Sequence, residues 1–297
     1  MKKEYVISMS ILVAALILAG AWVYTTRLKT GFNLVPTTQA QNEATAQVLE
    51  KKVIPPKGVT LPVQWGDLGT RLIREGVIDA DKFTAIYRER GAFTEEESVL
   101  LLGKTNGAIT ITKDNAGYLL NLFWAFGLAQ KNPILDSGEM VNKEYGGAEN
   151  FASTGGWTLA KGNVMDHYSH HSFVTLTPAQ QALVDKVSRG IYRPCCGNST
   201  HFPDCNHGMA MLGLLELMAS QGVSEQDMWK AALAVNSYWF PDTYLAIATL
   251  KEKQGTSWQN VDPREVLGAK YSSSDGYQWV LTQVTPPESE GGGGCSV

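Results

Sequence analysis

All five histidines and three of the four cysteines in this 297-residue chain fall between His167 and His207. The dense part reads Arg193-Pro194-Cys195-Cys196-Gly197-Asn198-Ser199-Thr200-His201-Phe202-Pro203-Asp204-Cys205-Asn206-His207-Gly208-Met209-Ala210-Met211. Thiolates and imidazoles bind transition metals, and thiolates also exchange disulfides. Core filling would scatter such residues. Their concentration here points to chemistry in this window.

The spacing narrows that chemistry. Cys195 and Cys196 read as the loop between two helices, and Cys205 as the start of the second, where free amides and the helix dipole favour a thiolate. Met209 lies four residues after Cys205 and Met211 four after His207, so each pair shares a helix face. A loop that folds back gathers Cys195, Cys196 and Cys205, with His207 or His201 completing the set. Three sulfurs and an imidazole with thioethers nearby form a soft donor set for copper(I) ahead of zinc. Two other readings use the same residues. In thiol–disulfide exchange Cys205 attacks and Cys196 resolves. In the third, a structural zinc or disulfide makes the region an interaction module. His167, His170 and His171, at i, i+3 and i+4, would share one helix face as auxiliary ligands. Cys295 stands after four glycines, Gly291 to Gly294, on what reads as a flexible arm able to reach the cluster.

The elements that must hold these residues read as helices. Thr177-Pro178-Ala179-Gln180 has the residue types of an N-cap, a first-turn proline and a capping-box partner, so a helix is expected over 177–192, ending at Pro194. Asp204 is expected to cap the next, to about Gln221, and Ser224 the one that stops before Pro241. Thr94 to Glu97 opens another capping box. Tyr118 to Leu128 is apolar all round, the mark of a buried helix. Further helices are expected over 81–90, 242–253 and 263–269, with β-prone runs at 108–112 and 276–284. Trp124, Trp157, Trp229, Trp239 and Trp258 read as core residues. The fold class is mainly α with minor β: one domain over 61–285 with a cysteine-bearing helical hairpin.

Outside that domain, Tyr5 to Tyr24 carries no charge and is long enough to span a bilayer once. Residues 1–29 are expected to be a membrane anchor, with Ala19-Gly20-Ala21 a possible cleavage site. Residues 30–60 read as a linker and 286–297 as a flexible tail. The domain is expected on the extracytoplasmic face of the cell membrane. An apolar fraction of 44% suits a sizeable core, and a net charge of −4 without a basic block argues against nucleic acid. No phosphate-binding glycine loop, Gly-x-Ser-x-Gly elbow or His-Glu-x-x-His occurs, so nucleotide and hydrolase readings lack a foothold. The partners expected are the membrane and a protein that donates or accepts metal or thiols.

Residues from about Leu183 to Phe240 resemble the thiol domain of the cytochrome c maturation protein H family. The similar residues are Arg193, Cys196, Asn198, Thr200, Asp204 and Asn206, followed by the Gly222-Val223-Ser224-Glu225 link into a third helix. The resemblance covers about a fifth of the chain. It implies a three-helix unit whose loop cysteines reduce or bind the haem-accepting cysteine pair of an apocytochrome. The family's Cys-x-x-Cys is absent, because Arg193 stands near its first position and Cys195 is adjacent to Cys196. The loop to Asp204 is one residue longer, and Cys205, His207, Met209 and Met211 are additions.

Overall fold

A computed structural model describes residues 38–91, 93–103 and 107–284. The chain divides into two compact units at Ala46 and Gln47. Of the first, only the beginning of helix α1 (Thr38–Val53) is described. The second is mainly helical and holds the window of interest.

Its centre is a pair of helices, α5 (Ala116–Ala129) and α8 (Asn206–Ser220). Each is apolar on nearly every face, and α8 is buried from His207 through Ala219. Glycines set how closely they approach. A Cβ at Gly127 would stand 2.3 Å from the carbonyl oxygen of Met209, and one at Gly213 would stand 2.6 Å from that of Phe123. The two backbones therefore touch where side chains would otherwise hold them apart.

Helix α7 (Pro178–Gly190) packs on α8 and begins with the expected box: Thr177 accepts from Gln180 N while Gln180 accepts from Thr177 N. Helix α9 (Glu225–Trp239), capped by Ser224, and helix α10 (Pro241–Lys253) follow. The five tryptophans named above are all buried. Those that lie deepest keep a polar partner, as when Trp124 Nε1 donates to Ser153 O at 2.6 Å and Trp157 Nε1 to Val77 O at 2.8 Å. The smaller helices are α2 (Leu68–Arg74), α3 (Ala80–Glu89), α4 (Glu95–Leu102), α6 (Pro133–Ser137), α11 (Pro263–Leu267), α12 (Ala269–Ser272) and α13 (Ser274–Gln283).

Several expectations change. Residues 30–60, read as a linker, contain α1 and the start of strand β1 (Val59–Gln64). Val53 and Ile54 at the end of α1 are buried, and Pro55 forms a turn with Gly58 at φ +81°. A Cβ at Gly58 would stand 2.5 Å from Ile111 O, so that turn seats against strand β2 (Ala108–Ile111). β1 pairs with β2 antiparallel, Val59 opposite Ile111 and Gln64 opposite Ala108. The 276–284 run, read as β-prone, is helix α13. Its buried residues Gly276, Val280 and Val284 recur every four positions, a helical period that the β-branched composition masks. Among the described residues no helix is long and apolar enough to cross a membrane. The expected span at 5–24 and the Cys295 tail both lie outside the described residues.

Candidate metal centre

The loop after α7 closes on itself before it reaches α8. Tyr192 bridges Ser199 in antiparallel fashion, and Thr200 N donates to Ile191 O at 2.8 Å. Cys195 and Cys196 therefore sit at a tip, with Cys196 O held by Ser274 N of α13 at 3.0 Å. Beneath the tip lies Arg193, only 2% exposed. Its Nε donates to Cys205 Sγ at 2.9 Å, its other nitrogens to Asn198 O at 3.2 Å and Phe202 O at 2.9 Å, and it pairs with the Asp204 carboxylate at 2.5 Å. Gly208, in the first turn of α8, makes room for it. A Cβ there would stand 2.5 Å from the guanidinium carbon.

The thiols shift one another more than this cation shifts them. Cys205 is held well below the ordinary thiol range, first by hydrogen bonds from Cys195 and Cys196, then by the Arg193 charge and a hydrogen bond with His207, all against the cost of burial. Cys196 goes the other way. A hydrogen bond with Cys195 favours its thiolate, but donation to Cys205, burial and the Cys205 charge push it up to about 11. Arg193 is held charged in the interior: burial opposes its charge, and Cys205, Cys196 and Asp204 outweigh that opposition. The expected low range at Cys205 is thus present, and its principal causes are neighbouring donors.

Two donor groups share Cys205. The Sγ atoms of Cys195 and Cys205 and a ring nitrogen of His207 all lie within 4.8 Å of one another, as do Cys196 Sγ, an Asp204 oxygen and Cys205 Sγ. Cys195 Sγ is 3.4 Å from Cys205 Sγ, and Cys195 is exposed. His207 is buried against the rings of Phe240, at 4.4 Å between centroids, and Trp239, at 5.7 Å. Cysteines and a histidine lying this close are compatible with a metal site.

Other candidate residues take different positions. Asp204 does not cap α8. Its carboxylate receives Arg193 and Asn198 Nδ2, at 2.8 Å for the latter, and Cys205 holds the N-cap position without a side-chain capping bond. His201 lies outside the cluster. Its N–H bonds to Ser188 O, and its ring nitrogens face Glu139 at 3.1 Å and Asp185 at 2.9 Å, so both are committed to carboxylates. Met209 and Met211 are core residues. His167, His170 and His171 do not form a helix, because Ser169 turns the chain with φ +49°. They gather with one another, and neither of the cysteine groups includes them.

Sequence reading missed the role of Arg193. The available signal was its place two residues before the cysteine pair, together with a glycine, Gly208, in the first turn of the following helix. Comparison with protein-family models, curated proteins and solved structures finds no match for this chain.

Proposed function

We propose that this chain is a membrane-anchored, extracytoplasmic protein that binds a soft metal ion, copper(I) ahead of zinc, and passes it to a partner protein. The observation that carries this reading is the convergence of Cys195, Cys205 and His207 donor atoms within 4.8 Å. Zinc in structural sites takes four ligands almost without exception. Two sulfurs and one imidazole leave a position of a zinc tetrahedron to be filled, whereas copper(I), which soft thiolates also favour, is satisfied by two or three ligands. Cys196 and Asp204 are the nearest further donors, and through them zinc remains the second choice. The lowered range of Cys205, set first by hydrogen bonds from Cys195 and Cys196 and then by the Arg193 charge, supports the reading because a metal requires the thiolate. The uncharged run at 5–24 is the basis for the anchor and the compartment.

Metal analysis of the purified full-length protein, prepared reduced, tests this. About one equivalent of bound metal is expected, and it should be lost in Cys205→Ser. Its identity, copper or zinc, decides between the two ions.

A second reading rests on the 3.4 Å contact between an exposed thiol and a stabilised thiolate. In thiol–disulfide exchange the Cys195/Cys205 pair becomes a disulfide as a partner's disulfide becomes two thiols. The resemblance to the cytochrome c maturation protein H family supports that alternative, with Cys195 in place of Cys196 as the accessible member of the pair. A metal-free protein with a reversible disulfide above roughly −250 mV would favour it.

A further inference from the structure

We propose that His167 and His171, joined by His170, form a second metal site, made of imidazoles alone and selective for a borderline divalent ion such as zinc or copper(II).

The turn that carries them is fixed by the end of α5. Ser169 N donates to Leu128 O and His171 N to Ala129 O, each at 2.8 Å, and Lys131 N returns a bond to His171 O at 2.8 Å. Ser169 Oγ accepts from Asn132 N at 3.1 Å, which ties down the residue in the left-handed conformation. Left-handed backbone at a non-glycine residue costs free energy and persists only where its surroundings hold it. Here it sets two imidazoles edge to edge, nearly coplanar. Their planes are 24° apart and their centroids 5.3 Å.

The hydrogen-bond pattern makes one nitrogen a ligand. His167 is nine-tenths buried, and its Nε2 lies 3.2 Å from Lys161 O. A carbonyl only accepts, so Nε2 carries the proton and the lone pair stays on Nδ1. Metal-binding histidines are oriented in this way, one ring nitrogen donating to a carbonyl and the other facing the ion. The Nδ1 lone pair points to His171 Nε2, 3.0 Å away. An ion held at about 2.0–2.1 Å by two imidazole nitrogens separates them by about 2.9 Å at a right angle and about 3.3 Å in a tetrahedron. The observed spacing falls between the two. Binding shifts His171 to its other tautomer: the Nε2 proton leaves, Nδ1 takes one up, and the ring stays neutral with no net proton released.

Access and a third donor come from the same turn. His170 is exposed, and its ring stands edge-on to His171 with 5.1 Å between centroids. As placed, its nitrogens do not converge with the other two, and rotation of this exposed side chain would be needed to offer a third nitrogen. Imidazole suits zinc and copper(II), whereas thiolates suit copper(I) as well as zinc. The two sites share no ligand, so copper(I) goes to the cysteines and copper(II) to the imidazoles, while zinc suits both.

The test uses full-length protein with all four cysteines replaced by serine, titrated with copper(II) or zinc. Removing the thiols makes the outcome independent of the function proposed above. We expect about one equivalent, nitrogen hyperfine structure in the copper(II) electron paramagnetic resonance spectrum, and affinity weakened about tenfold or more in His171→Ala and in His167→Ala. Absence of stoichiometric binding, or binding unchanged by both histidine substitutions, overturns the site. Should the serine variant not fold, the unaltered chain gives the same answer. His171→Ala should lower its total divalent stoichiometry by one and leave the cysteine-bound equivalent in place. Unchanged stoichiometry overturns the proposal.

Discussion

The cysteine loop and the histidine turn both crowd donor atoms together, and they do so by opposite means. In the loop, a buried guanidinium gathers a thiolate, a carboxylate and two carbonyls about itself, and Gly208 is hollowed to fit it. In the turn no cation is needed. Two rings share a hydrogen bond, and His171 is held below the ordinary imidazole range first by desolvation, then by His167 and His170, against the nearby charge of Glu75. One region is organised by a fixed charge and the other by its exclusion. A thiol is favoured as thiolate by neighbouring donors and a cation, whereas the imidazole of His171 is kept below its ordinary range mainly by desolvation.

That difference sets the size of the expected mutational effects. Arg193→Met should be the most damaging, because it strands Asp204 and the Cys205 thiolate in a largely buried site. A loss of about 3–5 kcal/mol is expected in denaturant unfolding, with alkylation of Cys205 requiring higher pH than in the parent. A loss under about 1 kcal/mol would mean that the guanidinium does not organise the loop.

Helix α8, which carries Cys205, also carries Glu216, fully buried and hydrogen-bonded to Asn132 through one oxygen while the other has no partner. Burial, opposed only by the Asn132 bond, holds its carboxyl well above the usual carboxylate range. The unfolded chain gives up this proton first, so stability is full below the ordinary value of 4.5 and falls as pH rises toward the higher folded value. The slope reaches at most about 1.4 kcal/mol per pH unit. Glu216→Gln should remove this dependence and stabilise the protein at neutral pH, as checked by unfolding at about pH 5 and about pH 8. Parallel pH profiles for parent and variant would place the carboxylate in a polar environment instead.

The smallest effect belongs to the turn. His171→Ala removes one hydrogen bond from a half-exposed ring and should cost about 1 kcal/mol by thermal or chemical unfolding. A loss matching that of Arg193→Met would erase the contrast between the two regions.

The helical scaffold of the candidate site was legible because its signals are local. Thr177 with Gln180, and Ser224 with the acidic turn after it, mark starts that the structure keeps. The all-apolar runs of α5 and α8 announce burial on every side. What the sequence concealed depends on distant partners. Asp204 has the residue type and position of a cap, yet a cation eleven residues earlier claims it. His201 sits amid the cysteines in sequence, but Glu139, far back in the chain, takes one side of its ring. The polar stretch before residue 60 lacks apolar patterning, so the burial of Val53 and Ile54 against the rest of the second unit leaves almost no local trace.

The contact of α8 with α5 through Gly127 and Gly213 has a mechanical consequence. A helix seated backbone to backbone, with no side chain between to repack, neither slides nor turns without opening a void. Cys205 and His207 ride on the near end of that helix and would be the fixed side of the proposed metal site. Cys195, exposed on its loop tip, is the side open to a partner. If the site hands metal on as proposed, an acceptor thiol would meet Cys195 first, while Cys205 and His207 would keep hold. Transfer would then run by exchange of one sulfur at a time, with no release into solution.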